Sequence, residues 1–326
     1  MLDCLPSARR REGGWFRMTA AYRLPRLRVG AERQCKSPLS HASRPRFRGG
    51  PPTVQRRLTA LSTEPQTWHY GVVARWWAEF NQTGPEIDYF RRFVEAGQPA
   101  LDVACGTGRL LLPYLRAGLD VDGCDVSPDM LARCREAAAR EGLSPKLYEQ
   151  AMHELDLRRR YRTVFVCGGF GLGSSRAQDL EALRRLHDHL EPGGVLVLDN
   201  EVPYANGPQW RYWVKEQRAE LPQPRREPGR RRAGSDGAEY ALCARIVGLD
   251  PLAQQVSWEM RAFMWRDGEL AAQEEHRLTT TLYFRDELVL MLKCAGFGDI
   301  EVRGQYNDAE PTPDDDFLVY IARKGG

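Results

Sequence analysis

The stretch Ala-Leu-Asp-Val-Ala-Cys-Gly-Thr-Gly-Arg-Leu, residues 100–110, decides the fold of this chain. Leu101 and Val103 are the apolar residues of a short strand that suits the interior of a parallel sheet. Gly106 and Gly108 allow a sharp turn and a close approach to a ligand, because neither carries a Cβ. The amides after such a turn point toward the start of the next helix, where an anion is favoured. The stretch therefore predicts a buried strand, a glycine turn and a helix that together bind a ligand.

The spacing of the two glycines separates two kinds of nucleotide site. A dinucleotide fingerprint has a third glycine three positions after the second, but this chain has Leu111 there, and its strand carries an acid, Asp102, three residues before Cys105. This pattern resembles motif I of the class I S-adenosylmethionine-dependent methyltransferases. The resemblance covers roughly residues 70–324. It implies an α/β, three-layer Rossmann-like methyltransferase fold, with a seven-stranded mixed sheet whose last strand is antiparallel.

A second acid supports the resemblance. Asp125 ends the next predicted strand, and a carboxylate there can accept both ribose hydroxyls of an adenosine. A dehydrogenase uses this position similarly, so Asp125 alone does not discriminate between the two classes. The resemblance implies S-adenosyl-L-methionine as the cofactor, although Gln150 stands where the family commonly has an acid. It implies cofactor contacts from Tyr70, Asp102, Ala104, Cys105, Gly106, Gly108, Asp125, Val126, Met130, Gln150, Ala151, Met152 and Cys167.

The order of the later elements agrees with the resemblance. Residues 190–194, Leu-Glu-Pro-Gly-Gly, match a turn that recurs in the class before the fifth strand. Farther on, three β-like runs follow one another, and Asp267-Gly268 supplies a hairpin turn between the last two. We therefore expect residues 207–283 to form an inserted loop and antiparallel β layer. The three runs are residues 239–249, 254–266 and 269–283.

The chain has a basic head and an acidic remainder. Residues 1–60 carry 14 Lys and Arg against 3 Asp and Glu, a net charge of +11, so the rest of the +3 chain carries −8. Residues 1–62 are Arg-rich and acid-poor, which resembles an organelle transit peptide. A stretch translated from upstream of the true start codon would also have this composition. We expect a disordered or non-native extension there and a methyltransferase domain over residues 63–326. No apolar run could span a bilayer, and no Cys-x-x-Cys pair occurs, so we expect a cytoplasmic protein without membrane partner or bound metal.

The resemblance implies methyl transfer to nitrogen or oxygen of a small molecule. Nucleic-acid amino-methyltransferases place Asn/Asp-Pro-Pro-aromatic after the fourth strand, whereas residues 167–170 here are Cys-Gly-Gly-Phe. A Pro-Cys nucleophile motif is also absent from the sequence, so we expect a small-molecule acceptor and no nucleic-acid partner. By position, the substrate-side candidates are Phe170, Arg261, Tyr283 and Tyr306. The candidates for proton transfer are His153, Glu201 and Tyr204.

Two alternatives remain open at this point. The same fold and acids would serve a non-catalytic S-adenosylmethionine-binding protein that senses or scaffolds. A nicotinamide-dependent oxidoreductase would also use a glycine turn and an acid, although the missing third glycine disfavours it. The acceptor, the methylated atom and the oligomeric state do not follow from the residues.

Overall fold

The computed structural model describes residues 67–326, so the expected extension over residues 1–62 lies outside the described residues. The first half alternates helices and strands, and the second half begins with an insertion. The first half contains α1 (Gly71–Phe80), α2 (Glu86–Ala96), β1 (Ala100–Val103), α3 (Leu111–Arg116), β2 (Val121–Asp125), α4 (Pro128–Arg140), β3 (Leu147–Glu149), β4 (Tyr161–Val166), α5 (Arg176–His189) and β5 (Leu190–Glu201). The second half contains α6 (Gly207–Trp210), α7 (Lys215–Arg218), β6 (Arg232–Ala233), β7 (Glu239–Asp250), β8 (Gln255–Arg266), β9 (Glu269–Thr281), α8 (Arg285–Cys294), β10 (Phe297–Gly304) and β11 (Phe317–Lys324).

Seven strands form one mixed sheet in the spatial order β10-β11-β5-β4-β1-β2-β3. The pairs from β3 to β5 are parallel, whereas β11 is antiparallel to both β5 and β10. Apolar clusters cover both faces of the sheet, one including Leu183 of α5 and the other including Phe90 of α2 and Leu131 of α4. The expected three-layer Rossmann-like fold with an antiparallel last strand is therefore confirmed.

The strand β1 lies inside this sheet, between β4 and β2, and every one of its residues is buried. Leu101 and Val103 belong to the cluster on one face, and Ala100 belongs to the cluster on the other. A strand covered on both faces has no solvent-facing side for polar residues. Asp102, 3 % exposed, is the exception. Because β1, β2 and β4 are parallel, their carboxyl ends meet at one edge, where a ligand crevice forms in folds of this kind.

A second, antiparallel sheet of four strands, in the order β6-β7-β8-β9, confirms the expected inserted β layer. The expectation of a loop over the first part of the insertion is only partly correct, because α6 and α7 form there. The helix α1 packs between the second sheet and α4. Its Val73 and Trp77 share an apolar cluster with Met260 and Leu278 of the sheet and with Met130 of α4. One side of the carboxyl-end crevice is thereby covered.

Two further observations concern the described chain as a whole. None of the helices between residues 67 and 326 combines the length and apolar character that spanning a bilayer requires. Over the same residues, no three His, Cys, Asp or Glu side chains are grouped as metal ligands would be.

Candidate functional site

A cavity of about 1070 Å³ opens where β1, β2 and β4 end. Gly108 and Tyr70 are the two predicted cofactor residues that do not line it. Gly108 packs closely against α4, since a Cβ there would lie 2.7 Å from Cys134 Sγ. Tyr70 is 43 % exposed and its ring packs against His276. The predicted residues that do line the cavity are Asp102, Ala104, Cys105, Gly106, Asp125, Val126, Met130, Gln150, Ala151, Met152, Cys167 and His153.

Asp102 brings an uncompensated carboxylate to the cavity. Its Oδ2 atom is buried and has no hydrogen-bond partner among the described residues. Burial raises the pKa of Asp102 well above the ordinary value, and the negative charge of Asp125 raises it further. A buried charge without a partner is costly, and a cation that enters the cavity removes that cost. The site therefore fits a ligand with an ammonium group.

Asp125 is held at the tip of β2 by backbone amides. The Gly106 N–H donates to Oδ2 at 2.9 Å, and the Ser127 N–H donates to Oδ1 at 2.8 Å. Burial raises the pKa of Asp125 to about 6, although these backbone hydrogen bonds act in the opposite direction. A carboxylate oxygen can accept more than one hydrogen bond. Asp125 can therefore still accept from a pair of ligand hydroxyls.

The glycine turn leaves space that any side chain would fill. Gly106 has a φ of 56°, and a Cβ built there would lie 3.1 Å from Met130 Cε. Ala104, a non-glycine residue, also has a positive φ, 62°. Its Cβ faces Gly169, where an added Cβ would lie only 2.6 Å away. Strained backbone of this kind concentrates at functional sites, and here it brings the turn and the loop after β4 close together.

Gln150 lines the cavity, but its side-chain oxygen is already engaged. Gln150 Oε1 accepts a hydrogen bond from the Asp156 N–H at 2.9 Å. The amide therefore presents mainly its N–H donors, which suit a ring nitrogen better than an exocyclic amine. The neighbouring Ala151 and Met152 supply apolar surface at the same wall.

The entrance side of the cavity is closed by α1 and the residues before it, including His69 and Trp77. Two carboxylates cap this helix: Gly71 N–H donates to Asp129 Oδ2 at 2.7 Å, and Val72 N–H donates to Glu274 Oε2 at 2.8 Å. Asp129 belongs to α4 and Glu274 to β9, so α1 links α4 to the second sheet. Burial lowers the pKa of His69 to about 4, which keeps this cavity wall neutral.

Another part of the cavity lining was not predicted from the sequence. Ser174, Gln178 and Asp179 line the cavity from the loop after β4 and the first turn of α5. Asp179 is 3 % exposed and accepts hydrogen bonds from Ser174 Oγ and Tyr283 Oη. In the sequence, an acid after a capping serine has the appearance of an ordinary first-turn helix residue. Asp179 differs from such a residue only because its helical turn is buried beside the cavity.

Three aromatic residues predicted on the substrate side do not reach the cavity. Tyr283 is fully buried, and Phe170, 4 % exposed, packs against its ring with the ring centroids 5.4 Å apart. Tyr306 donates to Asp199 Oδ2 and packs against Phe317. These predictions are corrected because apolar burial draws the three rings into the core. Tyr283 and Tyr306 instead position carboxylates.

Three polar candidates also lie elsewhere. Glu201, at the end of β5, is enclosed outside the cavity, where burial raises its pKa to about 7. Tyr204 is 41 % exposed and contacts Trp210. Arg261 lies against Phe263 and donates to the Arg226 carbonyl. Glu201 and Tyr204 were candidates because they follow the fifth strand, and Arg261 because it lies on the inserted layer, but none of the three lines the cavity.

Comparison with known proteins agrees with the fold. Residues 100–194 match the family described as a methyltransferase domain. One relative is a Geobacillus sp. (strain WCH70) protein that is named as a methyltransferase, with no substrate in its name. It is 22 % identical over 267 residues, which cover 78 % of this chain and 99 % of the relative. A Streptomyces venezuelae enzyme, dTDP-3-amino-3,4,6-trideoxy-alpha-D-glucopyranose N,N-dimethyltransferase, is 29 % identical over 113 residues, 34 % of this chain and 46 % of that enzyme.

A solved structure gives the same result for the architecture. The S-adenosylmethionine-dependent methyltransferase from Clostridium acetobutylicum ATCC 824 superposes with a TM-score of 0.57 at 19 % identity, covering 74 % of this chain and 92 % of that one. The described chain has the class I methyltransferase fold, and residues 100–194 match a methyltransferase domain. Within that domain, the acid and glycine turn of residues 102–108 resemble motif I of the S-adenosylmethionine-dependent methyltransferases.

Proposed function

We propose that this protein transfers a methyl group from S-adenosylmethionine to an amino nitrogen of a small molecule. The observation that carries the proposal is the buried carboxylate of Asp102, whose Oδ2 atom has no hydrogen-bond partner among the described residues, beside the bare glycine turn. A ligand with an ammonium group at one end and a nucleoside at the other complements Asp102 and Asp125 together. Nicotinamide dinucleotides carry no such ammonium group, which disfavours the oxidoreductase alternative.

We assign the parts of the cofactor to the residues that line the cavity. Asp102 holds the ammonium group and Asp125 holds the ribose hydroxyls, while Met130, Ala151 and Met152 cover the adenine. When bound, S-adenosylmethionine would supply a sulfonium methyl group: a nucleophile about 3 Å from the methyl carbon and in line with the S–C bond would bond to it, and S-adenosylhomocysteine would leave as a neutral thioether.

The other lining residues prepare the nucleophile and exclude water. Trp77, Leu172 and Met152 give the cavity apolar walls, and a dry site favours a reaction in which positive charge is dispersed. A protonated amine must lose a proton before it attacks. We assign His153 to accept that proton because it lines the cavity. Its Nε2 atom accepts a hydrogen bond from Gln178 Nε2 at 3.1 Å and would exchange that bond for the proton. Glu201 and Tyr204, outside the cavity, have no such role in this proposal.

Nitrogen is the acceptor atom that the comparisons favour. The Streptomyces venezuelae relative is named for N,N-dimethylation of an amino sugar. The cavity lining agrees, since its acids Asp102, Asp125 and Asp179 favour a basic acceptor over an acidic one.

Methyl-labelled S-adenosylmethionine tests the proposal directly. The full chain is incubated with a panel of small primary amines and the alcohols of matching carbon skeleton, and labelled product and S-adenosylhomocysteine are measured. We expect label on amines, little on alcohols, and none with Asp102→Asn. Cofactor binding without transfer to any amine would favour the non-catalytic alternative, and binding of NADH in preference to S-adenosylhomocysteine would favour the oxidoreductase.

A further inference from the structure

We propose that the methyl acceptor enters the cavity as a protonated amine and that Asp179 binds its ammonium group. This inference rests on the proposed function and names the chemistry of the acceptor. Asp179 lines the cavity from the first turn of α5, and its side chain is almost completely buried. It follows β4, whereas Asp102 and Asp125 lie on β1 and β2, so it belongs to a different side of the cavity from the cofactor acids.

Both carboxylate oxygens of Asp179 are fixed by neutral donors. Ser174 Oγ donates to Oδ1, and Tyr283 Oη donates to Oδ2 at 2.5 Å. These donors come from two separate elements, the loop after β4 and the segment after β9, which hold the carboxylate in one orientation. A carboxylate has about four acceptor positions. Two hydrogen bonds therefore leave room for a ligand and do not neutralise the charge.

No basic side chain among residues 67–326 lies within ion-pair distance of Asp179. The nearest candidate, Arg176, is engaged elsewhere: it pairs with Glu287, donates to Gln254 Oε1 at 2.5 Å and lies over the Tyr283 ring. Burial raises the pKa of Asp179 to about 6, while the Ser174 and Tyr283 hydrogen bonds and the Arg176 charge act in the opposite direction. The group is therefore ionised at pH 8 and lacks a counter-ion.

The charges of the whole lining support the same conclusion. Among the described residues, Arg109 is the only Lys or Arg that lines the cavity, and it pairs with buried Glu86. Three aspartates line the cavity. In the proposed function, the ammonium group of the cofactor binds Asp102, and the neutral ribose hydroxyls donate hydrogen bonds to Asp125. Asp179 remains, and a cationic acceptor balances it, whereas a phosphate or carboxylate at that wall would be repelled.

Three probes of nearly equal shape test the inference: benzylamine, benzyl alcohol and benzoate. Each is titrated calorimetrically at pH 8 into the full chain saturated with S-adenosylhomocysteine. We expect benzylamine to bind at least tenfold more tightly than benzyl alcohol, ~1.4 kcal/mol, and benzoate to bind most weakly. Asp179→Asn should remove the preference, whereas Glu181→Gln, a partly exposed acid on the same helix, should keep it. A wild-type protein without amine preference, or an unchanged preference in Asp179→Asn, overturns the inference.

A second variant serves if Asp179→Asn fails to fold. Tyr283→Phe keeps the carboxylate but removes a hydrogen bond that stabilises its charged form, so the pKa of Asp179 should rise. The pH midpoint of benzylamine binding, near 6 in the wild type if Asp179 controls it, should then move upward. His153, which contacts Gln178 next to Asp179, is present in both proteins, so its own titration cannot cause a difference between their midpoints. A purely structural role would lower the melting temperature and leave the midpoint in place, which would also overturn the inference.

The two proposals fail in distinguishable ways. If S-adenosylhomocysteine does not bind, the same probes are titrated into the ligand-free chain, and an Asp179-dependent amine preference would support this inference while the proposed function fails. If S-adenosylhomocysteine binds and methyl transfer occurs without amine preference, only this inference fails.

Discussion

Asp102 is a single residue that lowers the stability of the ligand-free protein. The core of the sheet is apolar on both sides of β1, yet this position carries a carboxylate with a buried oxygen that lacks a partner. Its folded-state pKa lies well above the ordinary value of 3.8. The folded protein therefore holds that proton more tightly than the unfolded chain does. The stability of the ligand-free protein should fall as the pH rises from about 4 through the folded-state pKa.

We expect Asp102→Asn to raise the melting temperature of the ligand-free protein at pH 8, by about 3 °C or more, because the asparagine removes ~1 kcal/mol or more of uncompensated charge. At pH 4 the difference should shrink. Thermal unfolding followed by circular dichroism measures both values, with Glu95→Gln, an exposed acid on α2, as control. A variant less stable than the wild type at pH 8 would mean that Asp102 is neutralised within the protein.

At the scale of elements, α1 is the piece that completes the cavity. Its first amides are held by one carboxylate from α4 and one from β9, and Trp77 on it lines the cavity. Carboxylates at a helix N-terminus stabilise the helix by hydrogen bonding and by interaction with its dipole. The helix is therefore held over the cavity at two points, one on α4 and the other on the second sheet.

Loosening those two points should speed ligand release. We expect the double substitution Asp129→Asn with Glu274→Gln to increase the dissociation rate of S-adenosylhomocysteine by about tenfold, since roughly 0.5–2 kcal/mol is associated with each cap. Stopped-flow displacement measures the rate. Glu136→Gln on α4, exposed and remote from α1, should leave it unchanged. Equal rates in all three proteins would show that α1 does not control access.

The elements also show what the sequence could predict. The order of the strands followed from apolar runs and turn residues, and the three runs predicted for the inserted layer, residues 239–249, 254–266 and 269–283, differ from β7, β8 and β9 by at most two residues at either end. The strand-end acids were visible because a carboxylate in an apolar strand is unusual. Asp179 was not visible, since an acid in a first helical turn is common. Arg261 lies away from the cavity because strand residues alternate faces, and the sequence does not show which way each residue of an inserted strand points. Tyr283, which follows β9, lies instead in the apolar core and donates to Asp179.

At the scale of the whole molecule, the cavity lies at the carboxyl edge of the seven-stranded sheet, α1 covers it, and the second sheet packs against α1. Among the residues that line the cavity, acids outnumber Lys and Arg. This charge distribution matches a positively charged cofactor and, as inferred above, a positively charged acceptor. We propose that residues 63–326 form the complete methyltransferase unit and that the basic residues 1–62 are dispensable for cofactor binding. Limited proteolysis in the presence of S-adenosylhomocysteine should yield a fragment beginning near residue 63 that still binds the ligand, and loss of binding on that cleavage would refute the proposal.

Calorimetric titration of the full chain with S-adenosylhomocysteine, compared with its Asp102→Asn variant at pH 8, tests the central claim most directly. We expect one-to-one binding by the wild type and, in the folded variant, a loss of affinity of at least a hundredfold, ~2.7 kcal/mol. The loss is expected because the ammonium group of the ligand loses its only charged partner. Equal affinity in the two proteins, or no binding by either, would contradict it.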